Sequence, residues 1–167
     1  MTKDEAIKKL RLLHDHLDSG RRSDALQFCN DELLKAQGSD ADTATMLKYR
    51  SYVWVDCGQF RSAMSDLEEA LRLCPADRSV LHALACTQAT AGDWDGAIIT
   101  AERLLFEERA CNSTYYLNEA YFILAMGLKT CGELEKARAY ASRVSDGGAT
   151  WLGEFLTKAE LLRRLTD

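Results

Sequence analysis

The sequence predicts an all-α protein built from repeated antiparallel helix hairpins, and three observations carry that expectation. Four glycines precede amphipathic stretches at similar intervals: Gly20 (SGRRSDAL), Gly58 (CGQFRSAM), Gly92 (AGDWDGAI) and Gly132 (CGELEKAR), which stand 38, 34 and 40 residues apart. Each is followed five residues later by an alanine, Ala25, Ala63, Ala97 and Ala137, and preceded by seven residues by Leu13, Ser51, Ala85 and Ala125, small in three copies. Apolar residues recur at helical spacing, as in Leu67, Ala70, Leu71 and Cys74 after Ala63, with Asp66, Glu68, Glu69 and Arg72 expected largely on the other side. Glycine lets the chain leave one helix through a positive φ, and small residues on both helices let the two axes approach closely. The residues two after each glycine, Arg22, Phe60, Trp94 and Leu134, are large enough to plug the turn end of the pair. A lone hairpin cannot bury both faces, so the copies should stack and share a core.

The elements follow in order from caps and breakers. Thr2 with Glu5 has the S/T-x-x-E spacing of a capping box, which predicts a first helix from near Lys3 to about Asp18. Gly38-Ser39-Asp40 separates the first copy from the second, and Cys111-Asn112-Ser113 separates the third from the fourth. The copies then span about 3–37, 44–77, 78–111 and 114–146 of a single domain, residues 1–167. After Gly147-Gly148 comes ATWLGEFLTKAELLRRLTD, whose Trp151, Leu152, Phe155, Leu156, Ala159 and Leu162 fit one helical stripe and predict a capping helix over about 149–166.

The second copy, 34 residues long, carries Leu47, Trp54, Gly58, Phe60, Ala63, Ala70 and Pro75, and in this it resembles the tetratricopeptide repeats (TPR). The third shares Leu81, Leu84, Ala85, Gly92, Trp94 and Ala97 with that pattern and departs from it at Leu104 and Arg109. The fourth shares Tyr121, Leu124, Ala125, Gly132 and Ala137 and departs at Val144, while the first is degenerate, with Arg22 and Glu32 at normally apolar or small positions. The resemblance implies a right-handed α-α superhelix of about four TPR-like helix hairpins plus a C-terminal capping helix. It also implies a concave surface, lined by the first helix of each repeat, that holds a peptide or a folded partner.

Carried over through the glycine alignment, the inward positions are Ile7, Leu10, His14 and Leu17; Thr45, Lys48, Tyr52 and Val55; Ser79, His82, Cys86 and Ala89; and Glu119, Phe122, Met126 and Lys129. Of these, His14, Lys48, Tyr52, His82, Cys86, Phe122, Met126 and Lys129 are the candidate partner-binding residues, since aromatic, Met and His side chains suit an apolar helix or extended segment. Repeats that grip the C-terminal carboxylate of heat-shock chaperones place a lysine, two asparagines, a lysine and an arginine inward. This chain offers Lys48, Tyr52, Ala83, Glu119 and Ile123 in one register and Leu10, His14, Tyr49, Ser79 and Ala83 in another, neither of which makes a cationic clamp.

Other chemistry finds little support. A net charge of −5, with basic residues scattered among acids, argues against nucleic acid. His14 and His16, two apart on a helix, point to different sides, and the six cysteines are spread singly without a C-x-x-C pair, so no metal or other cofactor is expected. Cys29, Cys57, Cys74, Cys86, Cys111 and Cys131 read as packing residues of a reducing compartment. The charged start MTKDEAIKKLRLLHD lacks a secretory h-region and no apolar run approaches a membrane span, so a cytoplasmic location is expected. His82 and Cys86, four apart on one helix, are the nearest approach to a catalytic pair, but a helix surface supplies no oxyanion pocket, so the chain does not read as an enzyme. The leading expectation is a protein-binding module, an adaptor or a dedicated chaperone or neutralising partner for one client. A self-associating scaffold, using Trp151, Phe155 and the first helix in a homodimer, is the alternative, and a hydrolase on His82 and Cys86 is the third.

Overall fold

The computed structural model describes residues 1–166. It falls into two compact units, Met1–Val80 and Leu81–Asp167. The first unit contains α1 (Lys3–Asp18), α2 (Arg22–Lys35), α3 (Asp40–Asp56) and α4 (Phe60–Leu73), and ends in the first turn of α5 (Arg78–Ala91). At the start of α1, Thr2 Oγ1 accepts from the Glu5 N–H at 3.3 Å while the Glu5 carboxylate accepts from the Thr2 N–H at 2.7 Å, a reciprocal capping box.

The four glycines do the same work each time. Gly20, Gly58, Gly92 and Gly132 have φ of +69°, +70°, +82° and +80°. The Gly58 N–H donates to Val55 O at 2.9 Å and the Gln59 N–H reaches back to Trp54 O at 2.8 Å. The same two bonds recur at the other three glycines, so each hairpin turns through a Schellman motif that satisfies the last carbonyls of its first helix. The four alanines five residues on, and Leu13, Ser51, Ala85 and Ala125 seven residues before, are all completely buried. That is the close approach of the paired helices which the spacing predicts.

The first unit's core consists of Leu13, Ala25, Cys29, Met46, Tyr49 and Val53, with Leu10, Leu17, Leu26 and Phe28 packed around it. Two acidic residues lie within this unit rather than on its surface. Asp66, expected on the solvent side of α4, is 8% exposed and accepts from Arg50 at 2.8 and 2.7 Å and from the Trp54 indole N–H at 3.1 Å. Arg50 also donates to Asn30 Oδ1 at 2.9 Å, so α2, α3 and α4 are tied through one guanidinium. Glu32, which stands where the resemblance wants a small residue, takes ion pairs from Lys9 at 2.5 Å and Lys35 at 2.6 Å.

The second unit comprises the rest of α5, then α6 (Trp94–Ala110), α7 (Leu117–Thr130), α8 (Leu134–Ala141), β1 (Ala149–Trp151), β2 (Phe155–Thr157) and α9 (Lys158–Arg164). Helix α6 packs on α7, and α7 on α8. Helix α6 ends in the Schellman pattern with Asn112 (φ +50°) in glycine's place: Asn112 N–H donates to Arg109 O and Ser113 N–H to Glu108 O.

The predicted capping helix over 149–166 is corrected by the structure. Residues 149–157 form an antiparallel hairpin in which Ala149, Thr150 and Trp151 pair with Thr157, Leu156 and Phe155, and only Lys158–Arg164 is helical. Gly153, at φ +79°, sits in the turn and breaks the helical register, while Thr150, Trp151, Phe155 and Thr157 are strand-favouring. The same residues therefore sort with period two: Thr150 and Leu156 are buried, Trp151 and Phe155 exposed. Thr157 then caps α9 by accepting from the Glu160 N–H at 3.2 Å.

Candidate partner-binding surface

In the first unit the inward positions carry Lys48 and Tyr52 on α3 and His14 on α1. Lys48 Nζ donates to Ser79 Oγ at 2.8 Å and lies 5.6 Å from the centre of the Tyr49 ring. Ser79 in turn donates from both its hydroxyl (2.7 Å) and its backbone N–H (2.8 Å) to Asp77 Oδ1. Burial pulls the Lys48 pKa down, and the nearby Asp77 charge offsets part of that effect. Among the described residues Lys48 pairs with no carboxylate directly. Tyr52 is half-buried with its ring 6.3 Å from that of Tyr49, whose hydroxyl donates to Ala6 O at 3.1 Å and so fixes α1 against α3. His14 is exposed. None of the first unit's inward positions on α1 and α3 is fully buried.

The inward positions of the second unit are more covered. His82 stacks on Tyr116 with ring centres 4.7 Å apart, and its Nε2 lies 3.4 Å from Cys86 Sγ. Burial, with the Glu119 charge adding to it, pushes the Cys86 thiol up to about 12, which favours the protonated sulfur near neutral pH. Glu119 is itself raised, by burial, with Glu108 adding, and its Oε2 is buried without a hydrogen-bond partner among the described residues. Met126 is half-buried. Phe122, expected on an open surface, is fully buried, and Lys129 is engaged by the chain itself, donating to the Arg164 carbonyl. The elements packed on α7 here include β1 and α9, and a Cβ placed on Gly153 would lie 3.4 Å from Thr90 Cγ2 of α5.

The sequence-predicted residues thus divide. Lys48 and Tyr52 stand together, as do His82 and Cys86, whereas Phe122 and Lys129 are taken up within the second unit. Two arrangements were not foreseen from the sequence, which named Trp151 and Phe155 but set them on a helical stripe. One is the aromatic pair Trp151 and Phe155, each 65% exposed and opposite one another across the hairpin. The other is an open cleft of about 470 Å³ lined by Asn30, Arg50, Trp54, Arg61, Ser62, Ser65 and Asp66, whose organising Arg50–Asp66 pair is 16 residues apart and leaves no local pattern. The alternation Thr150/Trp151 and Phe155/Leu156 about Gly153 was the signal for the first.

No known family's sequence profile matches this chain, and no curated protein matches it. Solved structures do. The nearly identical TPR-like repeats assigned to a Podosopora anserina kinesin light chain superpose with a TM-score of 0.71 at 14% identity, over 84% of this chain and 73% of that one. The chain has a TPR-like helical-repeat fold. The protein MamA gives 0.64 at 16% identity, over 83% of this chain and 70% of its own. At such identities the likeness is one of fold, and it fits the Schellman-turned hairpins and buried alanines described above. Among the described residues no three His, Cys, Asp or Glu side chains converge as a metal site, and no helix is long and apolar enough to cross a membrane.

Proposed function

We propose that this chain is a protein-binding repeat module that holds a segment of a client polypeptide, with the Lys48–Tyr52 face of the first unit as its principal contact. The observation that carries this reading is Lys48: a partly desolvated ammonium, bonded to a neutral hydroxyl and 5.6 Å from the Tyr49 ring, beside which the Tyr52 ring lies at 6.3 Å. A client segment that supplies a carboxylate and an apolar side chain would satisfy both halves of that arrangement. The fold neighbours with TPR-like repeats support a module of this class. The client role, adaptor or dedicated chaperone, in the cytoplasm, is the form we favour.

Affinity capture from the native extract with the intact chain, and with Lys48→Glu and Tyr52→Asp, tests it. Both variants should keep the far-ultraviolet spectrum and lose the captured client at least tenfold, which is about 1.4 kcal/mol. Undiminished capture by both would remove the proposal. A second reading, self-association, is favoured by the exposed pair Trp151 and Phe155, and light scattering over a concentration series that shows a monomer throughout would end it.

A further inference from the structure

The second unit differs from the first in that the chain's own C-terminal segment packs on its inward-bearing helices: β1 and α9 lie against α7, Lys129 donates to the Arg164 carbonyl, and Gly153 stands near Thr90 of α5. We propose that the hairpin 149–157 is an internal occupant of the inner face of α5 and α7, opening locally while α9 stays docked, and that it competes there with a client segment. The competition rests on the client-binding reading; the opening does not.

Four observations support this division of labour. The hairpin's buried side is small: Thr150, Leu152 and Leu156 are the residues it buries, with β1 packed on α7 and Gly153 close enough to α5 that an added Cβ would lie 3.4 Å from Thr90 Cγ2. Its other side leaves most of Trp151 and Phe155 in solvent, so these two large side chains contribute little to holding the hairpin on the helices. Strands of three residues in a two-stranded ribbon are marginal by themselves, so this ribbon depends wholly on its seat. The ion pairs beside it end on exposed carboxylates, Lys158 on Asp146 and Arg164 on Glu154, where solvent weakens the pairing.

Helix α9 is anchored differently. Leu161 is completely buried and Leu165 nearly so, and the carbonyls of Arg164 and Leu165 accept from Lys129 and Arg138. Gly147, at φ +79°, precedes the moving part and gives it a pivot, Gly153, at φ +79°, turns it, and docked α9 keeps its other end tethered. Being tethered, it occupies its seat at high effective concentration and would raise the client concentration needed for binding.

Hydrogen exchange of the intact chain, read by mass spectrometry, tests the opening with no client present. The amides of 150–157 should exchange at least about a hundredfold faster than those of Phe122–Leu128, with Leu161–Leu165 remaining protected. Equal protection of the hairpin and α7 would overturn the proposal, because the ribbon would then be released only by unfolding of the unit. A labelled synthetic peptide of residues 147–158 tests the seat. It should bind the folded Leu152→Asp/Leu156→Asp variant at least tenfold more tightly than the native chain, whose own ribbon excludes it. Equal binding to both, or none to a folded variant, would also overturn the proposal. If that double variant fails to fold, Leu156→Ala gives the same comparison by exchange: the hairpin should speed up while α7 does not, and a joint shift of both would refute it. Failure in any arm leaves the Lys48 and Tyr52 capture experiment unaffected.

Discussion

Replacing Asp66 by alanine should destabilise the first unit by about 3 kcal/mol. The carboxylate is 8% exposed and accepts three hydrogen bonds, two from Arg50 and one from the Trp54 indole. Removing one partner of a fully buried pair costs about 3–5 kcal/mol, because the other charge is stranded. Arg50 keeps 25% of its side chain exposed and retains Asn30, so the stranding should cost about 2 kcal/mol, and the orphaned indole N–H adds about 1 kcal/mol. An arginine stays charged at any ordinary pH, so the stranded guanidinium cannot escape by losing its proton. Urea unfolding followed by circular dichroism should show the midpoint falling by roughly 2 M, at a slope of about 1.5 kcal/mol/M. Asp66→Asn, which keeps one acceptor, should lose about half as much, and Asp66→Leu with Arg50→Met should recover most of the loss. A cost below about 1 kcal/mol for Asp66→Ala, or a double variant as weak as the single one, would refute the tie as described.

Gly58→Ala should cost about 1 kcal/mol in the same assay: nothing lies within 4 Å of the added Cβ, so the penalty is that of φ +70° alone. Ala63→Leu, at a completely buried position facing the partner helix, should cost about 2–3 kcal/mol, and a neutral result would contradict the close approach. Burial pushes the Cys29 thiol from 9.0 up to about 12, so the unfolded chain deprotonates first; stability should be complete below pH 9 and decline as pH rises from there towards 12, a decline that Cys29→Ala should reduce. With a thiol reagent at pH 8, exposed Cys111 should react promptly while Cys29 and Cys86, with about a thousandfold less thiolate than an ordinary thiol, react only on unfolding; early labelling of Cys86 would contradict its burial. Trp151→Ser should change stability by less than about 0.5 kcal/mol, since the side chain is 65% exposed.

What was legible in the sequence is what depends on local chemistry. Glycine spacing gave away the hairpins because a Schellman turn demands a left-handed residue at one position, and alanine spacing gave away the close approach because only a small side chain fits there. The capping box at Thr2 and Glu5 was likewise a three-residue signal. The tail was misjudged because Trp151, Leu152, Phe155 and Leu156 satisfy a helical stripe and a two-period strand equally in so short a run, and Gly153 decides between them. Asp66 was placed outside because helical periodicity knows nothing of Arg50, a helix away, which makes its burial favourable. The inner strip was read as open for a similar reason: β1 and α9, which pack on α7, and the Arg164 carbonyl that engages Lys129, 35 residues away, come from the far end of the chain.

The most direct test of client holding is site-specific photo-crosslinking in the native extract, with a photoreactive phenylalanine at position 52 and, as a control, at Phe106 on the exposed side of α6. Capture of one discrete protein from position 52 and not from position 106 is the predicted result. Adducts from position 106 alone, or the same diffuse adducts from both, would contradict it.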